Sequence, residues 1–333
     1  MTLLKKTLIA STALTLSMGA AMADSNKAFL DQTGTDNTGL ITQPGTGNAV
    51  GLDSDKALQN GTLNTLTITQ SGNSNEVGTE GTGFRQNGTG RTGTWTDAGG
   101  TVTKRNVATI TQTSNGNVVG EVDQNIAGNA NRGANMLDVT QEVGDGHRIN
   151  TITQVVPVGK RGQMATVVQS GANNFMNLLS QTGGDQVNKV DARFDGDNNG
   201  QSNLAAYAAL SGATSSDIIQ NGRGLRLELD ILGDNNAYGT FQQGRENTVG
   251  PLMVIGNDNS LGVYHSGRSN IISASAINGF GNDIGLRQLG WGNSMDFDMI
   301  VGGDDNMVLI DQLSASDSGG GNTADVDVDG NAN

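Results

Sequence analysis

The stretch Leu66-Thr67-Ile68-Thr69-Gln70-Ser71-Gly72-Asn73-Ser74-Asn75-Glu76-Val77 constrains the fold more than any other part of the chain. Leu66, Ile68 and Gln70 alternate with threonines, the period of two expected when one face of a strand is buried. Gly72 is expected to supply the positive φ of a sharp reversal, and Asn75 and Val77 resume the alternation beyond it. The unit is thus a strand, a tight turn and the start of another strand, summarised as Gln-x-Gly-x-x-Asn between alternating apolar residues.

This unit recurs. Complete copies are Gln32/Gly34/Asn37, Gln43/Gly45/Asn48, Gln70/Gly72/Asn75, Gln169/Gly171/Asn174, Gln242/Gly244/Asn247 and Gln288/Gly290/Asn293. Gln112 and Asn117 keep the two amide positions, His265-x-Gly267-x-x-Asn270 puts histidine in the glutamine slot, and Asn306 with Gln312 repeats the strand once more. The glycines Gly34, Gly45, Gly72, Gly171, Gly244, Gly267 and Gly290 are all expected to be turn residues. Gln32 and Gln43 lie 11 residues apart, so two such halves predict a strand-turn-strand coil of about 22 residues. The pattern lapses near 51–64, 79–106, 157–162 and 313–321, which read as longer connections. The predicted fold is all-β: a two-sided, cross-β β-solenoid over residues 24–333, with roughly thirteen or fourteen layers in a rod of about 60 to 70 Å.

Composition agrees with stacked small units and argues against a conventional core. Glycine reaches 50 residues, aromatics are 4% and prolines number three, yet the apolar residues fall at regular positions, unlike those of a disordered chain. Gln and Asn at buried positions demand partners, because an unpaired buried amide costs a few kcal/mol. Stacking in register about 4.8 Å apart lets each amide bond its equivalent above and below, a ladder that also fixes register.

Residues 1–23 read as a secretory signal. Lys5 and Lys6 precede an apolar run from Thr7 to Met18, and Ala21-Met22-Ala23 gives the small-x-small cleavage pattern. The run is shorter than the roughly 20 residues that a membrane span needs. The chain has no cysteine, so no disulfide holds it outside the cell. Its formal charge of -14 gives no electrostatic attraction to nucleic acid.

No constellation of residues points to catalysis, and no cofactor is expected. His265 occupies a structural slot, and His147, in a Gly-Asp-Gly-His turn, is expected to be solvated. Asp195/Asp197 and Asp304/Asp305 lack the recurrence of a calcium-binding repeat and read as turn acids. Gly81-Thr82-Gly83 lacks the lysine and helix of a phosphate loop. Trp291, between two glycines, is either an exposed adhesive aromatic or packs on its neighbour.

The units resemble the repeats of curlin proteins, the subunits of curli functional amyloid on bacterial surfaces. Family repeats have the form Ser-x5-Gln-x-Gly-x-x-Asn-x-Ala-x3-Gln. The best carriers here are Gln43/Gly45/Asn48/Val50, Gln70/Gly72/Asn75/Val77 and Gln169/Gly171/Asn174/Met176, without the initial serine. The resemblance implies a secreted, cell-surface homopolymer of a Gram-negative bacterium, partnered by a nucleator and an outer-membrane secretion pore. Its fibres would support biofilm and adhesion to host or matrix surfaces. The chain is longer than a typical curlin and its repeats are less regular, which leaves open a bulk subunit, a nucleator or a monomeric solenoid adhesin that binds a surface or polysaccharide.

Overall fold

Alternation of side chains decides which face of each strand turns inward. In the strand Thr65–Gln70, Leu66, Ile68 and Gln70 are fully buried while the threonines between them face outward. That strand pairs in parallel with Thr38–Thr42 on one side and Val107–Gln112 on the other, so that Ile41, Ile68 and Ile110 stand in one column. Met136–Gln141 adds the next rung. These strands form one wall, face A.

The opposite wall, face B, is a continuous parallel sheet from Leu30–Thr35 to Met307–Leu313. Its rungs include Val118–Asn129, Arg148–Val156, Phe175–Thr182, Asp217–Arg223, Ala237–Arg245, Ser260–Arg268 and Asp283–Trp291. Face A continues through residues 163–169, 188–194 and 225–231, held in register by isolated bridges and main-chain bonds. It becomes a regular sheet again at Ile271–Asn278, Ser294–Met299 and Thr323–Val328. The main apolar core, from Ile41 to Met295, runs between the walls, with Ile126 and Val156 buried as a separate pair.

This computed structural model describes residues 13–17, 25–97, 100–129, 135–160, 163–183, 188–299, 303–314 and 321–328. The chain is a β-solenoid of about 10 turns at roughly 27 residues per turn, fewer and longer turns than the sequence spacing predicts. Coil length changes along the rod: Gln43 and Gln70, in register neighbours, are 27 residues apart, whereas Gln220 and Gln242 are 22 apart. The difference sits in corner loops 51–56 and 78–83, which split face B in the early coils into a short and a longer strand, as in Ala49–Val50 followed by Ala57–Thr62. Two connections expected from the lapses therefore contain core rungs. Ala57–Thr62 and Phe84–Thr89 both belong to face B, with Ala57, Gln59, Phe84 and Gln86 fully buried.

True insertions lie elsewhere. An antiparallel hairpin, Thr94–Asp97 with Gly100–Thr103, leaves the coil within 79–106. Residues 200–216, unremarked by the repeat pattern, form a strap with a short helix, Ala206–Leu210. The run Ala205-Ala206-Tyr207-Ala208-Ala209-Leu210 carried the signal, since it is rich in strong helix formers. Asp283 holds the strap by accepting the main-chain N–H groups of Tyr207 at 2.7 Å and Ala208 at 2.6 Å. Residues 157–160 make a turn closed by Lys160 N–H to Pro157 O. The remainder of that lapse, 161–162, lies outside the described residues, as do 315–320 and, in the expected signal, 1–12 and 18–23. Ala13–Ser17 pairs in parallel with Thr38–Thr42.

Six of the seven glycines expected in turns correct the expectation, in two groups. Gly34 is not in a turn: it lies inside the strand Leu30–Thr35, as Gly244, Gly267 and Gly290 lie near the ends of Ala237–Arg245, Ser260–Arg268 and Asp283–Trp291. These four still adopt positive φ, 110° at Gly34 and 123° at Gly267, because the strand bends there before the corner. A Cβ on Gly34 would run into the carbonyl oxygen of Gly61, and one on Gly267 into that of Gly290, each in the next coil. Gly45 and Gly72 do sit in turns, but neither takes the positive φ expected of it. That falls to Gly47 at 66° and Ser74 at 56°. Glycine is required at 45 and 72 by close approach instead, since a Cβ would meet the carbonyl oxygens of Gly72 and Ser114 respectively. Gly171, in a turn with φ of 83°, matches the expectation on both counts. Gly267→Ala is accordingly expected to lower stability by about 2 kcal/mol, from backbone strain and overpacking. A chemical-denaturation midpoint that does not move would remove this account.

Candidate functional site: the amide columns

Each coil places a glutamine at the end of a strand and an asparagine past the turn, and in-register stacking turns these into columns. On face B, Gln32, Gln59, Gln86, Gln124, Gln154, Gln181, Gln220 and Gln242 form one line. Each Nε2 donates to the Oε1 of the following glutamine, at 2.6 Å for Gln32 to Gln59, 2.8 Å for Gln124 to Gln154 and 3.0 Å for Gln181 to Gln220. Gln288 and Gln312 resume the line at 2.7 Å. On face A, Gln43, Gln70, Gln112, Gln141 and Gln169 make a second line with separations of 2.7–2.8 Å. All these amides point the same way along the rod.

The asparagines form the expected amide-to-amide ladder at several steps, as where Asn64 Nδ2 donates to Asn37 Oδ1 at 3.0 Å, Asn106 Nδ2 to Asn64 Oδ1 at 2.9 Å and Asn282 Nδ2 to Asn259 Oδ1 at 3.0 Å, and they add main-chain bonds to it. Their Oδ1 atoms also accept main-chain N–H groups of the adjacent coil: Asn75 N–H donates to Asn48 Oδ1 at 2.9 Å, and Asn117 N–H donates to Asn75 Oδ1 at 2.8 Å. On the same side of the rod, Asn199 N–H donates to Asn174 Oδ1, and Asn306 N–H donates to Asn282 Oδ1. At the opposite corner the bond runs from Asn64 to Asn37, and from Asn270 to Asn247 and Asn293 to Asn270. Their Nδ2 groups tie down turn carbonyls, as Asn48 does with Gly72 O at 2.8 Å. Each asparagine therefore pins a turn and sets the height of the next coil.

Gln59, Gln86, Gln124, Gln154, Gln181 and Gln220 belong to the site although the complete repeats do not mark them as ladder positions. For Gln59 the signal was complete, because Gln59-x-Gly61-x-x-Asn64 reproduces the motif inside a stretch assigned to a connection. For Gln86 and Gln220 the motif is broken at its last position by Arg91 and Leu225.

Two histidines interrupt the columns. His265 stands between Gln242 and Gln288 in register, is completely buried, and neither ring nitrogen has a partner; Gln288 Oε1 is also left without a donor. Burial pushes its pKa down to about 3. His147 is not solvated as its turn suggests: it is completely buried in an asparagine slot, with its N–H donating to Asn117 Oδ1 at 3.0 Å. Burial lowers its pKa as well, against opposing hydrogen bonds to Glu142 and Gly171.

Face A loses its glutamines after Gln169. The same column continues as Phe194, Ile231, Val254 and Ile277, all buried, and Phe194 stacks on Tyr238 at 4.7 Å. The carboxylates of Asp197 and Asp304 serve as turn acceptors, from Ala172 N–H at 2.6 Å and Phe280 N–H at 3.0 Å. Among the described residues no three acidic or histidine side chains gather into a metal-binding group, and no helix is long and apolar enough to cross a membrane.

At the last coil the columns stop without a cap among the described residues, and at the first only Ala13–Ser17, inside the expected signal, lies on face A. The first coil presents Asn26, Gln32, Asn37 and Gln43, the last Asn306, Gln312, Asn322 and Val328. Among the described residues the outer edges of Leu30–Thr35, Met307–Leu313 and Thr323–Val328 have no strand partner. No model of a known protein family matches the chain, and no curated protein matches it.

Proposed function

We propose that the chain is a secreted, non-enzymatic structural subunit that self-assembles end to end into extracellular fibres of the curli type. The observation that carries this reading is the common direction of the amide bonds. The last coil offers a Gln312 Nε2 donor and an Asn322 Oδ1 acceptor, and the first offers the complementary Gln32 Oε1 and main-chain N–H groups. Such an interface is self-complementary only head to tail, and a head-to-tail contact that does not close produces a filament. Unpaired strand edges supply the main-chain bonds of the junction. A nucleator and an outer-membrane pore are the accessory partners that go with this reading, and biofilm support and surface adhesion are its biological setting.

Incubating residues 24–333 with an amyloid dye, with and without sheared pre-formed fibres, tests the proposal. Seeded growth without a lag supports it. A protein that folds yet stays monomeric with seeds present is a solenoid adhesin instead.

One position of the junction is mismatched, since Val328 would meet Gln43 where the other three columns pair amide with amide. Val328→Gln is expected to raise the seeded elongation rate by about fivefold, the equivalent of about 1 kcal/mol from one added hydrogen bond. An unchanged rate would mean that this column does not contribute to addition.

A further inference from the structure

The corner that follows face B carries an outward column which the amide lines do not use. Arg223 stands in register with Arg245, Arg245 with Arg268, and Arg268 with Trp291. Three guanidinium groups therefore project from successive coils about 4.8 Å apart, in a chain whose net charge is -14. Like charges directly opposite one another in a sheet destabilise it. Little inside the protein offsets them: Glu246 reaches only Arg268, at 3.6 Å. Arg245 is exposed and has no ion pair among the described residues, and the Nε of Arg223 is buried without an acceptor. Trp291 ends the column, its ring centroid 5.5 Å from the Arg268 guanidinium.

Arginines in line with an indole suit a ligand that is both anionic and flat-faced. A pyranose ring offers its C–H face to an aromatic, and a uronic acid adds a carboxylate, which arginine binds with two parallel N–H bonds. Charge density separates this ligand from nucleic acid. Duplex DNA carries a charge every ~1.7 Å, whereas an acidic polysaccharide with one carboxylate per sugar comes closer to one cation per coil. We propose that the column Arg223–Arg245–Arg268–Trp291 is a binding track for an acidic polysaccharide, in which the guanidinium groups hold uronate carboxylates and Trp291 stacks on a sugar face. The track lies on the side of the rod and goes beyond the end-to-end contact, so it operates in the monomer and in a fibre alike.

Affinity electrophoresis of residues 24–333 through polygalacturonate, its fully methyl-esterified form and poly(dT) tests the assignment. Retardation is expected in polygalacturonate and not in the neutral ester. The combined variant R223Q/R245Q/R268Q is expected to lose about tenfold or more in affinity, as befits several charge-assisted bonds. Trp291→Ala should weaken polygalacturonate binding about threefold and leave poly(dT) unaffected. Equal retardation in acid and ester, tighter binding to poly(dT), or wild-type affinity in the triple variant would each overturn the proposal. Should the triple variant misfold, the exposed single change Arg245→Gln must itself weaken binding about threefold, and unchanged affinity there overturns it too. Seeded growth of the triple variant, run in parallel, separates loss of the track from loss of self-assembly.

Discussion

Gln124→Leu is expected to destabilise the protein by about 3–5 kcal/mol, although leucine fits the space and increases apolar burial. Gln124 is completely buried at the centre of the longest amide line. It accepts from Gln86 at 2.8 Å and donates to Gln154 at 2.8 Å and to Val107 O at 3.0 Å. Leucine removes all three bonds at once. Gln86 Nε2 keeps Thr65 O at 3.0 Å and the Val107 carbonyl keeps its place in the strand ladder, but Gln154 Oε1 loses its donor in a dry interior, which costs about 1–3 kcal/mol beyond the lost bonds. The urea midpoint should fall with little change in slope if the fold still melts as one unit. A loss below about 1 kcal/mol would show that the line contributes alignment without stability. Because a solenoid is nearly one-dimensional, the same change can also split melting into two steps at that coil.

His265→Gln should act in the opposite direction, with an effect that grows as the pH falls. The glutamine would accept from Gln242 and donate to Gln288 Oε1, closing the gap between the Gln32–Gln242 and Gln288–Gln312 segments. At neutral pH the gain is about 1–2 kcal/mol, that of two buried bonds net of their desolvation. The pH dependence follows from the folded pKa of about 3 against the ordinary 6.5. Above 6.5 the ring is neutral in both states and imposes no proton-linked cost. As the pH falls through 6.5 the unfolded chain takes up a proton that the folded chain refuses, so stability drops by up to about 1.4 kcal/mol per pH unit. The drop levels off near the folded value. His147, lowered in the same direction, adds a contribution that His265→Gln leaves in place. Thermal melts of both proteins from pH 7 to 4 should diverge steadily, and parallel curves would mean that His265 has a partner when folded.

The spacing of Gln70, Gly72 and Asn75 made the strand-turn-strand legible, because in-register stacking preserves side-chain identity at a fixed position in the coil. What it could not give was coil length. The 11-residue interval from Gln32 to Gln43 measures one side of the rod, and doubling it ignores corner loops such as 51–56, which have no periodicity and whose polar residues resemble any connection. Gln59 was lost to this for a local reason: Lys56 and the acidic loop before it broke the alternation three residues ahead of an intact motif. The glycines misled in a related way, since one spacing serves both Gly34, which bends a strand, and Gly45, which lets two turns approach closely. His147 was misjudged because Gly-Asp-Gly is ordinary turn chemistry, and only the register with Asn117 and Asn174 puts its side chain inside. The arginine column was invisible for another reason, since three residues separated by 22 and 23 positions look unrelated until the coils bring them together.

The shift from 27-residue to 22-residue coils has a consequence for any polymer of this chain. Coils of 27 residues near the beginning give way to one of 22 at Gln220–Gln242, and the spacing is 29 again between Asn293 and Asn322, so in a head-to-tail assembly the outline varies along each subunit and repeats once per copy. Fibre diffraction would then contain, beneath the ~4.8 Å strand reflection, a long axial repeat near 50 Å from about 10 turns at that spacing. An amyloid built of identical layers has no such repeat. A micrograph of this polymer should show beads, one per copy.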